Sequence, residues 1–166
     1  DPENGKVIAR AIAGKLSELR PGEKAYFEQR LADFSRRVDE AEKGWLATFA
    51  PFKGLKVVTY HRSYTNFADR FGLEVIGYVE PRPGIPPTPQ HTLDLVNEMN
   101  RQNVKLIIVE PYFDLKTPNA IARQTGGQVV VVPPSAGGTK EVPDYFKLFD
   151  NAVKLVADAA RKSGPK

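Results

Sequence analysis

The spacing of hydrophobic positions changes once along the chain, near residue 50. Before that point the period is helical. Val7, Ile8, Ala11, Ile12, Leu16 and Leu19 recur three or four residues apart, the spacing that places side chains on one helix face. Asp1 is a ready cap with Pro2 at the first helical position, and Arg20-Pro21-Gly22 stops the run. A longer stripe follows: Phe27, Leu31, Phe34, Val38, Ala41, Trp45 and Phe49, separated by charged residues such as Glu28, Arg30, Arg36, Asp39 and Lys43. A helix from Gly22 to Phe49 would run about 40 Å at 1.5 Å per residue, against roughly 26 Å across a small domain. A helix of that length is expected to be half of a coiled coil or a spine laid along two lobes.

Beyond Pro51-Phe52-Lys53-Gly54 short apolar runs alternate with helical patterns. Leu55–Tyr60, Glu74–Val79, Lys105–Val109 and Gln128–Val132 read as strands. Between them lie a helix of about two to three turns after His61, ended by Gly72, a helix from Thr88 to about Gln102, and a helix from Thr117 to Thr125. Thr88-Pro89 and Thr117-Pro118 each read as a hydroxyl cap followed by proline, and Gly126-Gly127 closes the third helix. A last helix starts near Pro143, and Arg161–Lys166 reads as a frayed tail. Mostly apolar strands alternating with helices predict an α/β fold: a four-stranded parallel sheet with helices on both faces, preceded by a helix and a long spine helix.

In a parallel sheet the residues just after each strand gather along one edge, where open α/β sheets bind ligands. Here those residues are His61, Glu80-Pro81, Glu110-Pro111-Tyr112 and Pro133-Pro134-Ser135. A neutral imidazole at that edge coordinates a metal or exchanges a proton, or else it simply finishes the strand. Glu110 follows Val104–Val109 directly and should be poorly solvated. Three roles are open to it: ligating a metal, holding His61 in one tautomer from behind, or capping a loop amide. Glu80–Pro89 carries five prolines, too many for helix or inner strand, and is expected to form a stiff extended rim. His91, in the first turn of the next helix, is expected to be exposed rather than a ligand.

Composition narrows the chemistry. With no cysteine among 166 residues, disulfides, thiolate zinc sites and cysteine nucleophiles are excluded. A net charge of +4 with scattered lysines and arginines lacks the basic stripe expected of a nucleic-acid binder. No apolar run approaches the roughly 18 residues needed to cross a bilayer. Neither G-x-G-x-x-G nor a Walker loop occurs, so nucleotide phosphates lack their usual cradle. There is no G-x-S-x-G elbow. A zinc site draws three or four ligands from Cys, His, Asp and Glu, and this chain offers one well-placed histidine and at most one glutamate, half a metal site.

Several segments, in order, resemble one family. They are Asp1-Pro2-Glu3-Asn4; Lys56-Val-Val-Thr-Tyr-His61 with Phe67-Ala68 and Phe71-Gly72-Leu73; Val109-Glu110-Pro111-Tyr112-Phe113; Ala122 with Thr125-Gly126; and Asp144-Tyr145-Phe146. Together they are similar to the C-terminal lobe and linking helix of the bacterial solute-binding proteins that serve ABC importers of zinc and manganese, the metal-binding lipoprotein and adhesin family. The resemblance implies two α/β lobes joined by a long helix, with the metal in the cleft between them. Residues 1–21 are then a helix belonging to or packing on a missing N-terminal lobe, 22–50 the spine, and 51–166 the C-terminal metal-binding lobe. His61 matches the family's metal ligand in this lobe, and Glu110 a glutamate lining the cleft.

The family's two first-lobe histidines are absent here. The carboxylate that manganese-type members carry after the last strand is also missing from Pro133–Thr139, which leans the metal towards zinc, with manganese as the alternative. The resemblance further implies that metal binds weakly or not at all in this lobe alone. It implies as partners the missing lobe and a membrane ABC permease, and an extracytoplasmic location. Self-association through an exposed spine helix is also expected. Two rival readings stand beside this one. One is a small α/β enzyme using His61 and Glu110 as an acid–base pair; the other is a metal-free domain that docks onto other proteins.

Overall fold

The computed structural model describes residues 1–163, so Gly164–Lys166 of the expected frayed tail lie outside the described residues. The chain divides into two compact units, Asp1–Ala47 and Thr48–Lys166. The first is helical. Asp1 caps α1 (Pro2–Leu19) by accepting from the Glu3 N–H at 2.8 Å, and a 3₁₀ turn, Pro21–Glu23, leads into α2 (Lys24–Phe49). α2 is continuous over 26 residues, about 39 Å, as its stripe predicts. Lys6 ties the two helices together through Asp39 at 2.5 Å. Val7, Ile8, Ile12, Leu16 and Leu19 of α1 are exposed, whereas along α2 Val38, Trp45 and Phe49 are buried.

The second unit is built on β1 (Lys56–Thr59), β2 (Glu74–Tyr78), β3 (Leu106–Val109) and β4 (Gln128–Val131). All pairings are parallel and the order is β2-β1-β3-β4. The connecting helices are α3 (Thr65–Phe71), α4 (Pro89–Arg101) and α5 (Lys116–Thr125), with α6 (Tyr145–Ser163) at the end. Period-two alternation sorts each strand between two faces. Val58, Ile107 and Val109 pack with Leu95, Val96 and Met99 of α4 and Ile121 of α5. Leu106 and Ile108 alternate with them and are also fully buried. α6 packs against β3 and β4, and α3 against β2. β3 is therefore apolar at every position because both of its faces are covered.

β1 and β2 do not pair evenly. Val57 faces Val75 but Val58 faces Gly77, so Ile76 is an extra residue in β2. A β-bulge of this kind changes which downstream residues lie side by side. It falls next to Gly77, where a Cβ would sit 2.7 Å from the Leu95 Cδ1.

Two sequence expectations need correction, the start of α5 and the tail. α5 begins before Thr117, because the Asp114 carboxylate accepts the Lys116 N–H at 2.8 Å and starts the helix there. Pro118 then sits inside the first turn, where a missing N–H still costs nothing. After His61 a 3₁₀ turn, Arg62–Tyr64, leads into α3, whose seven residues make the expected two turns up to Gly72. Arg161, Lys162 and Ser163 continue α6 rather than fray. Thr88 does cap α4, accepting from the His91 N–H at 3.1 Å.

Two glycines make opposite demands. A Cβ at Gly127 would lie 2.7 Å from the backbone oxygen of Lys105, which accepts from the Gln128 N–H where β3 and β4 begin. Gly14, in the middle of α1, has nothing within 4 Å of a Cβ. Gly127→Ala should therefore cost about 1–3 kcal/mol through forced backbone movement. Gly14→Ala should gain about 0.5–1 kcal/mol through helix propensity. Urea unfolding followed by circular dichroism checks both signs.

Candidate metal site

The strand order reverses direction between β1 and β3, since the chain steps from β1 to β2 on one side and then to β3 on the other. In open α/β sheets this switch point, at the carboxyl ends of the strands, is where a ligand crevice opens. His61 leaves β1 and Glu110 leaves β3, so the two residues flank it. The parallel ladder continues past the regular strands and keeps their exits aligned: the Tyr60 N–H donates to Ile108 O at 2.8 Å, Glu80 N–H to Tyr60 O at 3.0 Å, and Val132 N–H to Val109 O at 2.9 Å.

His61 is held in an extended conformation (φ −123°, ψ −173°) at the head of the 3₁₀ turn. The Thr59 hydroxyl donates to its carbonyl at 2.6 Å, which fixes the backbone beneath the ring. Phe113 meets the imidazole edge-on at 5.0 Å and stacks on Tyr60 at 4.2 Å, nearly parallel at 9°. The ring is thus backed by aromatic surface, and its side chain is only 14% exposed. Nε2 lies 3.5 Å from Glu80 Oε1. Glu80 is buried and is anchored by the Gly84 N–H, which donates to Oε1 at 2.7 Å. The Tyr60 phenol, also bonded to Glu80, is held above the usual tyrosine range, by burial first and then by the charge and hydrogen bond of Glu80.

Glu110 is fully buried, and neither carboxylate oxygen has a hydrogen-bond partner. A buried acid without donors is costly, and proximity to a cation is the natural way to offset that. Its charge is felt nearby. Tyr64 is pushed far above the usual range, by burial first and by Glu110 second, and exposed Tyr112 rises for the same two reasons. The Tyr64 hydroxyl donates to Val132 O at 2.5 Å, bracing the start of the first turn against the exit of β4.

The acidic group beside the His61 ring is therefore Glu80. Sequence placed Glu80 at this edge but did not single it out, and the one available signal was its position directly after a strand. His91 is not exposed as expected: it is half-buried, because its Nε2 is drawn to within 2.9 Å of Tyr78 O. Among the described residues no group of three or more His, Cys, Asp or Glu is arranged to hold a metal ion. Also among them, no helix is long and apolar enough to cross a membrane.

Residues 1–159 match the protein family described as ZnuA, zinc-uptake complex component A periplasmic. The chain is 25% identical over 163 residues to the high-affinity zinc uptake system protein ZnuA of Brucella suis, covering 98% of this chain and 49% of that protein. It is 29% identical over 124 residues to the Haemophilus influenzae protein of the same name, covering 75% and 37% respectively. It thus spans at most about half the length of these relatives. A crystal structure of ZnuA superposes with a TM-score of 0.83 at 24% identity, over 96% of this chain and 57% of that one.

The buried Tyr64 phenol makes the site sensitive to alkali. Its proton is held to higher pH in the folded chain than in the unfolded one. The stability this contributes is complete below the ordinary tyrosine value near 10 and is lost as pH rises above it. Tyr64→Phe should cost about 1–2 kcal/mol at neutral pH, through the lost donor to Val132 O, and should flatten the fall in stability above about pH 10. Urea midpoints measured from pH 7 to 11 for both chains read the two effects separately.

Proposed function

Because the chain belongs to the ZnuA family of periplasmic zinc-uptake components, we propose that it supplies one lobe of a protein that captures a divalent transition metal for an ABC importer. Zinc is the first cargo and manganese the alternative. The observation that carries this reading is the position of His61: an imidazole fixed at the switch point of a parallel sheet, backed by aromatic rings and next to the buried carboxylate of Glu80. Neutral imidazole is a common zinc ligand. Glu110, with two unpartnered oxygens at the other side of the switch point, is the second site residue and presents negative charge to the cation.

A tetrahedral zinc site needs four ligands, and no set of that size is assembled among the described residues. In this reading the remaining ligands come from a second lobe of the same protein, and residues 51–166 form the metal lobe. The apolar face of α1, with Val7, Ile8, Ile12, Leu16 and Leu19 exposed, suits packing against that lobe, as an exposed apolar patch on a soluble helix usually marks an interface. α2 then serves as the spine between the lobes. Delivery to a membrane permease places the protein outside the cytoplasm, associated with the membrane through the transporter. The role is carriage rather than catalysis: the ligands need to hold and release a cation, and no bond of a substrate is broken.

Metal affinity and fold stability should separate. The core of the second unit is apolar strands and helices, so a chelator should leave the melting temperature of this chain unchanged. In the longer protein, His61→Ala should weaken zinc binding by about tenfold or more while changing stability by less than about 1 kcal/mol. Titration calorimetry with zinc, paired with thermal unfolding, decides it. Equal zinc affinity in wild type and variant would reduce His61 to a strand-end histidine and remove the site assignment.

A further inference from the structure

Nothing in the chain's sequence pattern marks Glu80 as more than a strand-end acid, yet the geometry points to it as the carboxylate that shares the metal with His61, Oε1 and Nε2 binding the same ion. This rests on the reading of His61 as a metal ligand and names the group that completes that ligand within this lobe. The first support is distance. Nε2 and Oε1 are 3.5 Å apart, longer than the 2.7–3.2 Å of an N–H···O hydrogen bond. Two ligands each about 2.1 Å from one zinc, at a tetrahedral angle, stand about 3.4 Å apart. The pair has the separation of two corners of a coordination tetrahedron.

The second support is anchoring. Oε1 accepts the Gly84 N–H at 2.7 Å, which leaves a lone pair on the same oxygen for a further partner. The Tyr60 phenol also bonds to this carboxylate. Hydrogen bonds from surrounding groups are what hold a ligating carboxylate in orientation. On the other side, Phe113 and the Thr59 bond to the His61 carbonyl fix the imidazole. Neither group needs to move far to meet a cation, so little ordering entropy is lost on binding.

The third support is register. Before the bulge in β2, β1 residues face partners one position earlier than after it. Carried to the end of the strands, the later register sets Glu80 beside His61. The earlier one would set Val79 there, a residue that is fully buried in the core. The extra residue Ile76 thus exchanges an apolar neighbour for an acidic one at the imidazole.

Zinc titrated into this chain, followed by the ring nitrogens of His61 in long-range ¹H–¹⁵N spectra, tests the assignment. The variants are Glu80→Gln, Glu80→Asp and His61→Ala. Glutamine keeps an acceptor for the Gly84 N–H and removes only the charge and the strong oxygen ligand. Urea unfolding confirms that each variant is folded. Wild type should show a zinc-dependent shift at Nε2, and Glu80→Gln should need about tenfold or more zinc for the same shift. Glu80→Asp, one methylene short, should fall between the two. X-ray absorption at the zinc edge should show one fewer protein oxygen in Glu80→Gln. A folded Glu80→Gln chain that responds to zinc as wild type does would overturn the role of Glu80 and leave His61 standing. Equal zinc binding by wild type and His61→Ala, or no zinc response at Nε2 in the longer protein that supplies the remaining ligands, would overturn both. Should Glu80→Gln fail to fold, the oxygen coordination of the wild-type zinc complex decides, and a site without a carboxylate oxygen overturns the proposal.

Discussion

Everything at the carboxyl edge depends on β1 being hydrogen-bonded on both sides. With β2 on one flank and β3 on the other, three chain exits that are far apart in sequence are set side by side, about 5 Å from strand to strand. The ladder extends beyond the regular strands through Tyr60, which donates to Ile108 O on one side while its own carbonyl accepts from the Glu80 N–H on the other. That single residue couples the positions of Glu80, His61 and β3. Its ring, stacked on Phe113, couples them to the turn after β3 as well. Loss of pairing on either flank would separate the carboxylates from the imidazole without changing any of the three side chains.

The same edge concentrates uncompensated polarity at the end of an apolar core. β3 ends in four fully buried aliphatic residues, and the next residue is a buried glutamate with no donors. Glu80, by contrast, has its donors in place. One acid is satisfied within the fold and the other is not. That asymmetry fits a site in which one carboxylate meets the cation directly while the other sets the potential behind it. Close to an apolar wall, the field of the second is weakly screened.

Much of the fold was legible because its elements announce themselves locally. The change of period near residue 50, the Thr88 cap and the left-handed glycines Gly72 and Gly126 are all short-range signals. The stripe from Phe27 to Phe49 gave the length of α2 correctly. Thr117-Pro118 misled because Asp114, three residues earlier, offered a competing acceptor for the Lys116 N–H. His61 and Glu110 stood out in sequence because each follows an apolar run. Glu80 follows one too, but its place beside His61 depends on the neighbour order of β1 and β2 and on a one-residue bulge. Neither is written in hydrophobic periodicity. The exposure of the α1 stripe was equally invisible, since an apolar face looks the same in sequence whether it is covered or bare.

The segment that follows Glu80 holds Pro81, Pro83, Pro86, Pro87 and Pro89 within nine residues. Each proline fixes one backbone angle in the unfolded chain as well as in the folded one. The rim has therefore surrendered much of its freedom before folding begins, and closing another surface over it removes little more. A flexible loop here would make capture slow to settle and costly in order, whereas a stiff rim lets the energy of contact appear almost whole as affinity. In the proposed metal carrier the same stiffness leaves the rim little elastic recoil, so release of cargo would fall to whatever pulls the opposing surface away.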